Sequence, residues 1–167
     1  MKNKSLKISI LILFSILITK IFFHLKAIYN LPYYHLMDLT NHMSRIYFLA
    51  MYGFHGFVPN WYNGFILFDP YLPGFFYYAL PFYMLTKNII FTTIISIILI
   101  YILGFIFMYS LGKTQKLTIL EITALYLFFF ANPELIIGYL SLGRIPELFA
   151  WILFIPFLTL ILYYKDH

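Results

Sequence analysis

One apolar run, residues 88–111, limits most strongly what this chain can fold into. It reads NIIFTTIISIILIYILGFIFMYSL and contains no Asp, Glu, Lys or Arg. A helix needs about 20 such residues to cross the roughly 30 Å of hydrocarbon in a bilayer. Over the whole chain 63% of the residues are hydrophobic and 10% are charged, whereas about 25% are charged in a soluble domain. The sequence therefore predicts an integral membrane protein.

Three further apolar runs are long enough to cross a membrane as helices. We predict spans at about residues 6–27, 117–142 and 146–164 in addition to 88–111, with GKTQK and GRIPE between the later spans. No small-x-small cleavage site follows the first run, so we expect an uncleaved anchor. The predicted fold class is all-α membrane, with about four transmembrane helices in a single membrane domain over residues 1–167.

The lysines predict the orientation of these spans, because Lys and Arg in short loops are retained on the cytoplasmic side. If four spans alternate, these lysines share one side: Lys2, Lys4, Lys7, Lys113, Lys116 and Lys165. We therefore expect a multi-pass protein of the cell (cytoplasmic) membrane with both termini in the cytoplasm. Residues 28–87 and the turn around Arg144 then lie outside. The net charge of +5 forms no basic stripe, so nucleic acid is not an expected partner.

The predicted outer loop, residues 28–87, begins with an amphipathic pattern. DLTNHMSRIYFLAMYGF predicts a helix along the membrane interface, ended by Gly53 and Gly56. Its polar side carries Asp38, His42 and Arg45. VPNWYNGF follows as a turn-rich loop. The apolar segment from Pro73 is too short to span and predicts a second interfacial helix, broken near Pro81.

The acidic residues are unevenly distributed over the predicted topology. Those assigned to the outer side or the outer leaflet are Asp38, Asp69, Glu134 and Glu147. Ionisable groups near a membrane are costly and are rarely placed without a partner or a purpose. The sequence therefore predicts that any chemistry takes place at the outer face.

The order of the motifs has a counterpart in a known superfamily. An anchor precedes DLTNHMSR, then G-x-x-P-x-W-x-x-G follows at Gly56, Pro59, Trp61 and Gly64, and then a Pro-aromatic helix precedes the next span. This order resembles the integral membrane glycosyltransferases of the GT-C superfamily. The likeness is closest to prokaryotic, especially archaeal, multi-pass proteins labelled as related to 6-pyruvoyl-tetrahydropterin synthase. LGRIPELFAWILFIPF, residues 142–157, is similar to the start of a later span in that group.

This resemblance implies a transferase that moves a sugar from a polyprenyl-phosphate donor in the membrane to an acceptor at the outer face. In such enzymes an aspartate of the first outer loop acts as general base or helps to hold a divalent ion, and Asp38 matches that position. Mg or Mn is the expected metal. His42 and Arg45 match the flanking polar positions, which makes Asp38 and His42 the expected catalytic residues. Family members have more spans, so further transmembrane segments or a partner membrane subunit are expected.

The residues themselves suit this chemistry. Glycosyl transfer from a lipid phosphate needs a base for the acceptor hydroxyl and cations for the charge that develops on the phosphate. Asp38 is the expected base, and Arg45 and Arg144 are the expected cations. The expected substrate-binding set consists of Arg45, Asp69, Arg144 and Glu147. Membrane lipid is the expected environment of the donor.

Each of these residues also has a structural interpretation. Asp38 in a first helical turn favours the helix dipole without any catalysis. His42 could be an interfacial histidine that donates to a carbonyl, and Asp69 precedes a proline as turn formers do. Arg144 could be an anchor that reaches the headgroups. As metal ligands, Asp38 and His42 are only two, and an ion needs more oxygen atoms from protein or substrate.

Two other classes of protein remain open. The first is a noncatalytic membrane subunit, or a remnant, that keeps the GT-C amino-terminal architecture. The second is part of a transporter, with Glu134 and Arg144 along a polar path. The sequence has no internal repeat, which favours the subunit over the transporter. It has no Walker loop, no Ser or Cys triad motif, and no cysteine for a disulfide or a thiolate metal site.

Overall fold

The computed structural model describes residues 2–30, 38–61, 63–68 and 71–165. Over these residues the chain is almost entirely helical. The α-helices are α1 (Lys2–Tyr29), α2 (Asp38–Tyr52), α3 (Gly74–Thr86), α4 (Ile89–Thr114), α5 (Ile119–Phe130), α6 (Pro133–Ile136) and α7 (Ile145–Lys165). A π-helical turn (Ile137–Ser141) follows α6, and two short strands, β1 (Phe57–Val58) and β2 (Phe65–Ile66), lie between α2 and α3.

Within the described residues, α1, α4 and α7 are each long and apolar enough to cross a membrane. α5 and the following segment Pro133–Ser141 pass the same test together, as a pair bent by 53°. The protein is thus a multi-pass, all-α membrane protein with three such helices, or four if the bent pair is one span. The predicted spans at residues 6–27, 88–111 and 146–164 agree with α1, α4 and α7 to within a few residues.

The predicted third span over residues 117–142 is not one continuous helix. α5 ends at Phe130, and the Asn132 side chain then accepts the backbone N–H of Glu134 at 2.9 Å. This bond caps a new helix. Pro133 stands at the first position of that helix, where a missing N–H costs nothing. The capping asparagine and the proline therefore restart the helix in a new direction.

The π-helical turn connects this restarted helix to α7. Its wider hydrogen-bond ladder includes the Leu142 N–H, which donates to the Ile137 carbonyl at 2.9 Å. The Arg144 N–H donates to the Gly138 carbonyl at 3.3 Å. π-turns are rare and occur often at functional sites. This one leads directly to the turn that begins α7.

α4 is the central helix and contacts α3, α5 and α7. Glycines on its buried side let neighbouring helices approach closely, as small residues do in membranes. Gly104 faces Ile152 of α7, and Gly112 faces Ile122 of α5. The hydroxyl of Tyr126 on α5 also donates to a backbone carbonyl of α4, at 2.9 Å. α5 and α7 are therefore both fixed against α4.

Residues 38–88 lie between α1 and α4, and we call the face of the protein that carries them the loop side. α2 forms as predicted and packs an apolar face against α3 and α4. It ends at Tyr52, where Gly53 adopts a positive φ of 73° and donates its N–H to the Leu49 carbonyl at 3.0 Å. That α2 lies along the membrane interface stays a prediction.

The predicted turn-rich loop after α2 contains a small antiparallel hairpin. Phe57 pairs with Ile66, and Val58 pairs with Phe65. The Leu67 N–H donates to the Gly56 carbonyl at 3.0 Å beside this pairing. The hairpin therefore lies between α2 and α3 in the fold as well as in the sequence.

α3 is one continuous helix, so the prediction that it breaks near Pro81 is wrong. Proline removes one backbone hydrogen bond, but the helix packs against α2, α4 and α7 along its length. It ends at Lys87, whose backbone is left-handed and whose N–H donates to the Tyr83 carbonyl at 2.8 Å. Asn88 then caps α4. This tight turn folds α3 back along the first part of α4.

Candidate functional site

The polar residues of α2 meet the turn between the π-helical segment and α7. The backbone N–H of Asp38 donates to the Leu142 carbonyl at 3.3 Å. One turn further along α2, the His42 ring is within hydrogen-bonding reach of the Gly143 backbone. Gly143 has a positive φ of 78°, which glycine adopts without strain. Two segments that are distant in the sequence thus form one site.

Arg144 and Glu147 stand at the edge of this site. The Nη1 atom of Arg144 is 3.8 Å from a carboxylate oxygen of Glu147, and their side chains are 56% and 49% exposed. Arg144 and Glu147 therefore form an ion pair three residues apart. Exposed pairs of this kind contribute little to stability, about 0–1 kcal/mol. Both groups remain available to a ligand.

Tyr71 is the residue around which the predicted site residues gather. The Arg45 guanidinium carbon lies 4.4 Å from the centroid of the Tyr71 ring, a cation–π distance. The charges of Arg45, Asp38 and Glu147 all act on the Tyr71 hydroxyl, and burial is the largest of the effects that raise its pKa. Tyr71 was not among the predicted site residues, because the sequence FDPY around it indicates only a turn.

His42 is in a different environment from the one predicted. The sequence places it on a polar face with Asp38 and Arg45, but its side chain is 4% exposed. Its ring packs near the rings of Tyr71 and Phe76, with centroids 6.0 Å and 5.7 Å away. The helix turns His42 inward because its position adjoins the apolar stripe of α2. The ring is therefore enclosed, and its reach to the Gly143 backbone agrees with the interpretation in which His42 donates to a carbonyl.

Burial also determines the protonation state of His42. It lowers the pKa of His42 to about 4, and the nearby Asp38 charge opposes this shift without cancelling it. The ring is thus neutral near pH 7, and its Nδ1 atom has no hydrogen-bond partner among the residues that the structure describes. A neutral, enclosed imidazole suits a residue that holds α2 against the Gly143 turn better than one that exchanges protons with a substrate.

The other predicted site residues have separate positions. Asp38 is exposed and lies in the first turn of α2, where its charge also favours the helix dipole. Asp69 lies outside the described residues. Glu134 is exposed at the start of α6, and none of the contacts among described residues joins it to the site. The exposed charged groups of the site are Asp38, Arg144 and Glu147.

A metal ion at this site would need oxygen atoms from a bound substrate in addition to those of the protein. Over the described ranges, no group of three or more His, Asp or Glu side chains is arranged to hold a metal ion. Mg²⁺ usually keeps several waters and binds through one or two carboxylates plus substrate phosphates. Asp38 as a ligand of Mg or Mn therefore stays a prediction.

Comparisons of the chain with models of protein families, with curated protein sequences and with solved structures find no match. The fold and the site define a multi-pass, all-α membrane protein with a cluster of charged and aromatic groups on its loop side. The interpretation of that cluster depends on its own chemistry.

Proposed function

We propose that the site binds the phosphate of a polyprenyl-linked sugar donor, and that the chain is a module of a GT-C-type membrane glycosyltransferase. The observation that carries this proposal is the position of Tyr71, which lies under the Arg45 guanidinium and within the field of the Asp38 and Glu147 charges, while Glu147 in turn pairs with Arg144. Guanidinium groups bind phosphate oxygens through two parallel hydrogen bonds. Arg45, in the middle of the amphipathic α2, and Arg144, directly before the apolar α7, suit a phosphate whose tail stays in the lipid.

The proposed reaction assigns roles to Asp38, Arg45 and Arg144. Asp38 takes the proton of the acceptor hydroxyl as that oxygen attacks the anomeric carbon of the sugar. The bond between the anomeric carbon and the phosphate oxygen breaks, and its electron pair leaves with the polyprenyl phosphate. Arg45 and Arg144 stabilise the charge that develops there. A bound Mg or Mn would add to that stabilisation.

The proposal includes a topology in which the bent third span crosses the membrane once. The hydrogen bond between Asp38 and Leu142 supports it, because it returns the end of this span to the loop side. Four spans result, and Lys113, Lys116 and Lys165 then share the opposite side. By the distribution of lysines that side is the cytoplasm of the cell membrane, and it holds both termini.

Binding tests the phosphate role directly. We would measure the affinity of the full chain in nanodiscs for a short-chain polyprenyl phosphate. Arg45→Gln and Arg144→Gln should each weaken binding about tenfold or more, since a charge-assisted hydrogen bond contributes about 1.5–3 kcal/mol. Lys87→Gln removes an exposed loop-side charge elsewhere and should bind as the parent does. Unchanged affinity in both arginine variants would refute the phosphate site.

Turnover tests the role of Asp38. Asp38→Asn keeps the size of the side chain and removes its basicity, so transfer to the acceptor should fall by about 10²-fold or more while donor binding is kept. Glu134→Gln, at an exposed carboxylate away from the site, is the matched control. An Asn variant with full turnover would leave Asp38 as a helix-dipole residue.

A second candidate is a noncatalytic membrane subunit. The burial of His42 favours it, because the second residue expected to be catalytic does not face the accessible part of the site. In that case Asp38→Asn leaves transfer by the assembled enzyme unchanged, whereas His42→Ala, which loosens α2, reduces recovery of the assembly.

A further inference from the structure

α3 is apolar on both of its faces. Its inward face carries Phe75, Phe76, Ala79 and Tyr83, all buried. Its outward face carries the exposed residues Tyr77, Pro81, Met84 and Leu85, which we call the outward stripe. No charged residue lies within Gly74–Thr86. A helix with one side in water carries polar residues on that side, so water does not account for the outward stripe.

The first half of α3 packs beside α7, below the point where α7 begins. Phe149 stacks on Tyr78 with ring centroids 4.7 Å apart and also contacts Phe75 at 6.2 Å. α7 has 21 residues, about 31 Å at 1.5 Å per residue, which matches a hydrocarbon core of roughly 30 Å. Phe149 lies four residues, or about 6 Å, into α7. Its partners on α3 therefore lie at a similar depth.

The contacts of α3 with α4 indicate a depth for Tyr78 similar to the one that its contact with α7 indicates. The Tyr78 hydroxyl donates to the Ser96 carbonyl at 3.2 Å, and Ser96 lies seven residues, about 10 Å, past the start of α4. At the other end of α3, the hydroxyl oxygens of Thr86 and Thr92 are 3.2 Å apart, much nearer to that start. α3 thus descends along α4 from its last residue towards its first.

We propose that α3 is a half-span inserted into the leaflet on the loop side, and that its outward stripe contacts the acyl chains of lipids. With 13 residues, or about 20 Å, it enters the bilayer without crossing it. The stripe continues the lipid-facing surfaces of the spans against which α3 packs, where large apolar residues such as Ile98 of α4 and Phe154 of α7 are exposed. This proposal does not depend on the proposed function.

Spin labels test the insertion. The chain has no cysteine, so single-cysteine variants of the full chain carry a label without background. We would place labels at Tyr77→Cys, Pro81→Cys and Met84→Cys in vesicles of phosphatidylcholine and phosphatidylglycerol. Accessibility to oxygen, which concentrates in lipid, would be compared with accessibility to a water-soluble nickel chelate. A half-span predicts oxygen-dominated accessibility, with the ratio falling in the order 77, 81, 84.

Two reference labels define the extremes. Asn60→Cys, on the exposed part of the hairpin loop, should be reached by nickel, and Ile98→Cys, on α4, should be reached by oxygen. If labels on the outward stripe are as accessible to the nickel chelate as the label at position 60, insertion is refuted. Equal depths at positions 77 and 84 would also refute a half-span, since they describe a helix lying flat. Pro81→Cys keeps the test decisive if Tyr77→Cys does not fold.

Discussion

His42 joins two parts of the chain that meet only in the folded state. Its helix, α2, is amphipathic in sequence, and the polar face was expected to include this side chain. The fold instead encloses the ring and keeps it neutral, within reach of the Gly143 backbone. Desolvation disfavours the charged form of a buried imidazole. The residue therefore stabilises the site only while it remains unprotonated.

This makes the stability of the site depend on pH. The pKa of His42 is about 4 in the folded chain, against 6.5 for an exposed histidine. The unfolded chain takes up a proton as the pH falls below about 6.5, and the folded chain does so only near 4. The contribution of neutral His42 to the free energy of unfolding is therefore complete above pH 6.5. It is lost as the pH falls towards 4, and the total loss is about 3 kcal/mol. Thermal unfolding in detergent, followed by circular dichroism, measures the loss.

The difference between variants isolates this histidine. His42→Gln should lose stability less steeply than the parent between pH 6.5 and 4. His55→Asn is the matched control, because His55 is exposed on the same segment and asparagine tolerates its positive φ of 59°. Parallel pH profiles for the parent and His42→Gln would contradict the assignment.

At the scale of elements, the length of the apolar runs was enough to predict three spans. α1, α4 and α7 follow from it because backbone polar groups in lipid must be satisfied within a helix. The break in the third span also had a signal, since an Asn-Pro dipeptide marks a turn, but the apolar residues on both sides outweighed it. The π-helical turn and the continuity of α3 through Pro81 depend on packing against other helices, which the local sequence does not encode.

The site was predictable only in part for the same reason. The charged residues Asp38, Arg45 and Arg144 stood out because charges are rare in this chain. Tyr71 did not, since tyrosine is common here and only the fold brings it beneath Arg45. The inward turn of His42 likewise depends on which face of α2 meets α3. The sequence thus indicated most of the charged residues of the site, but it did not indicate the contacts between distant segments that bring them together.

The packing of α4 against α5 gives a test at this scale. A Cβ at Gly112 would clash with Cγ1 and Cδ1 of Ile122, which is fully buried. Gly112→Ala should therefore lower the free energy of unfolding by about 1–3 kcal/mol, as overpacking does. Gly138→Ala is the control, because nothing lies within 4 Å of a Cβ there. Denaturation in mixed micelles measures both.

A double-mutant cycle shows whether this clash is the cause. In the Ile122→Ala background, where Cγ1 and Cδ1 are absent, the additional cost of Gly112→Ala should largely disappear. A cost that stays the same would mean that the helix pair tolerates the methyl group and that the loss arises elsewhere.

At the scale of the whole molecule, the loop-side segment and the end of the bent third span meet at one face. In the proposed topology this contact lies on the side reached by a third span that crosses the membrane. If the pair α5 and Pro133–Ser141 turned back, Ser141 would lie on the same side as Gln115, between α4 and α5. If it crosses, these two residues lie on opposite sides.

Cysteine labelling measures this arrangement. In cells, Asn60→Cys and Ser141→Cys should react with a membrane-impermeant maleimide from outside, and Gln115→Cys should react only after permeabilisation. All three residues are exposed. Labelling of Ser141→Cys together with Gln115→Cys would establish a re-entrant segment, and labelling of Gln115→Cys alone in intact cells would invert the orientation.

The break after Phe130 also bears on how the chain enters a membrane during synthesis. α5 has only 12 residues, about 18 Å, which is too short to be recognised as a span. The segment that completes it begins with Asn132 and includes Glu134, and polar and charged residues oppose the insertion of a helix into lipid. α4 precedes it by a short turn and is strongly apolar. We therefore expect α4 and α5 to enter the translocon together as a helical hairpin. α5 should not integrate into the membrane without α4.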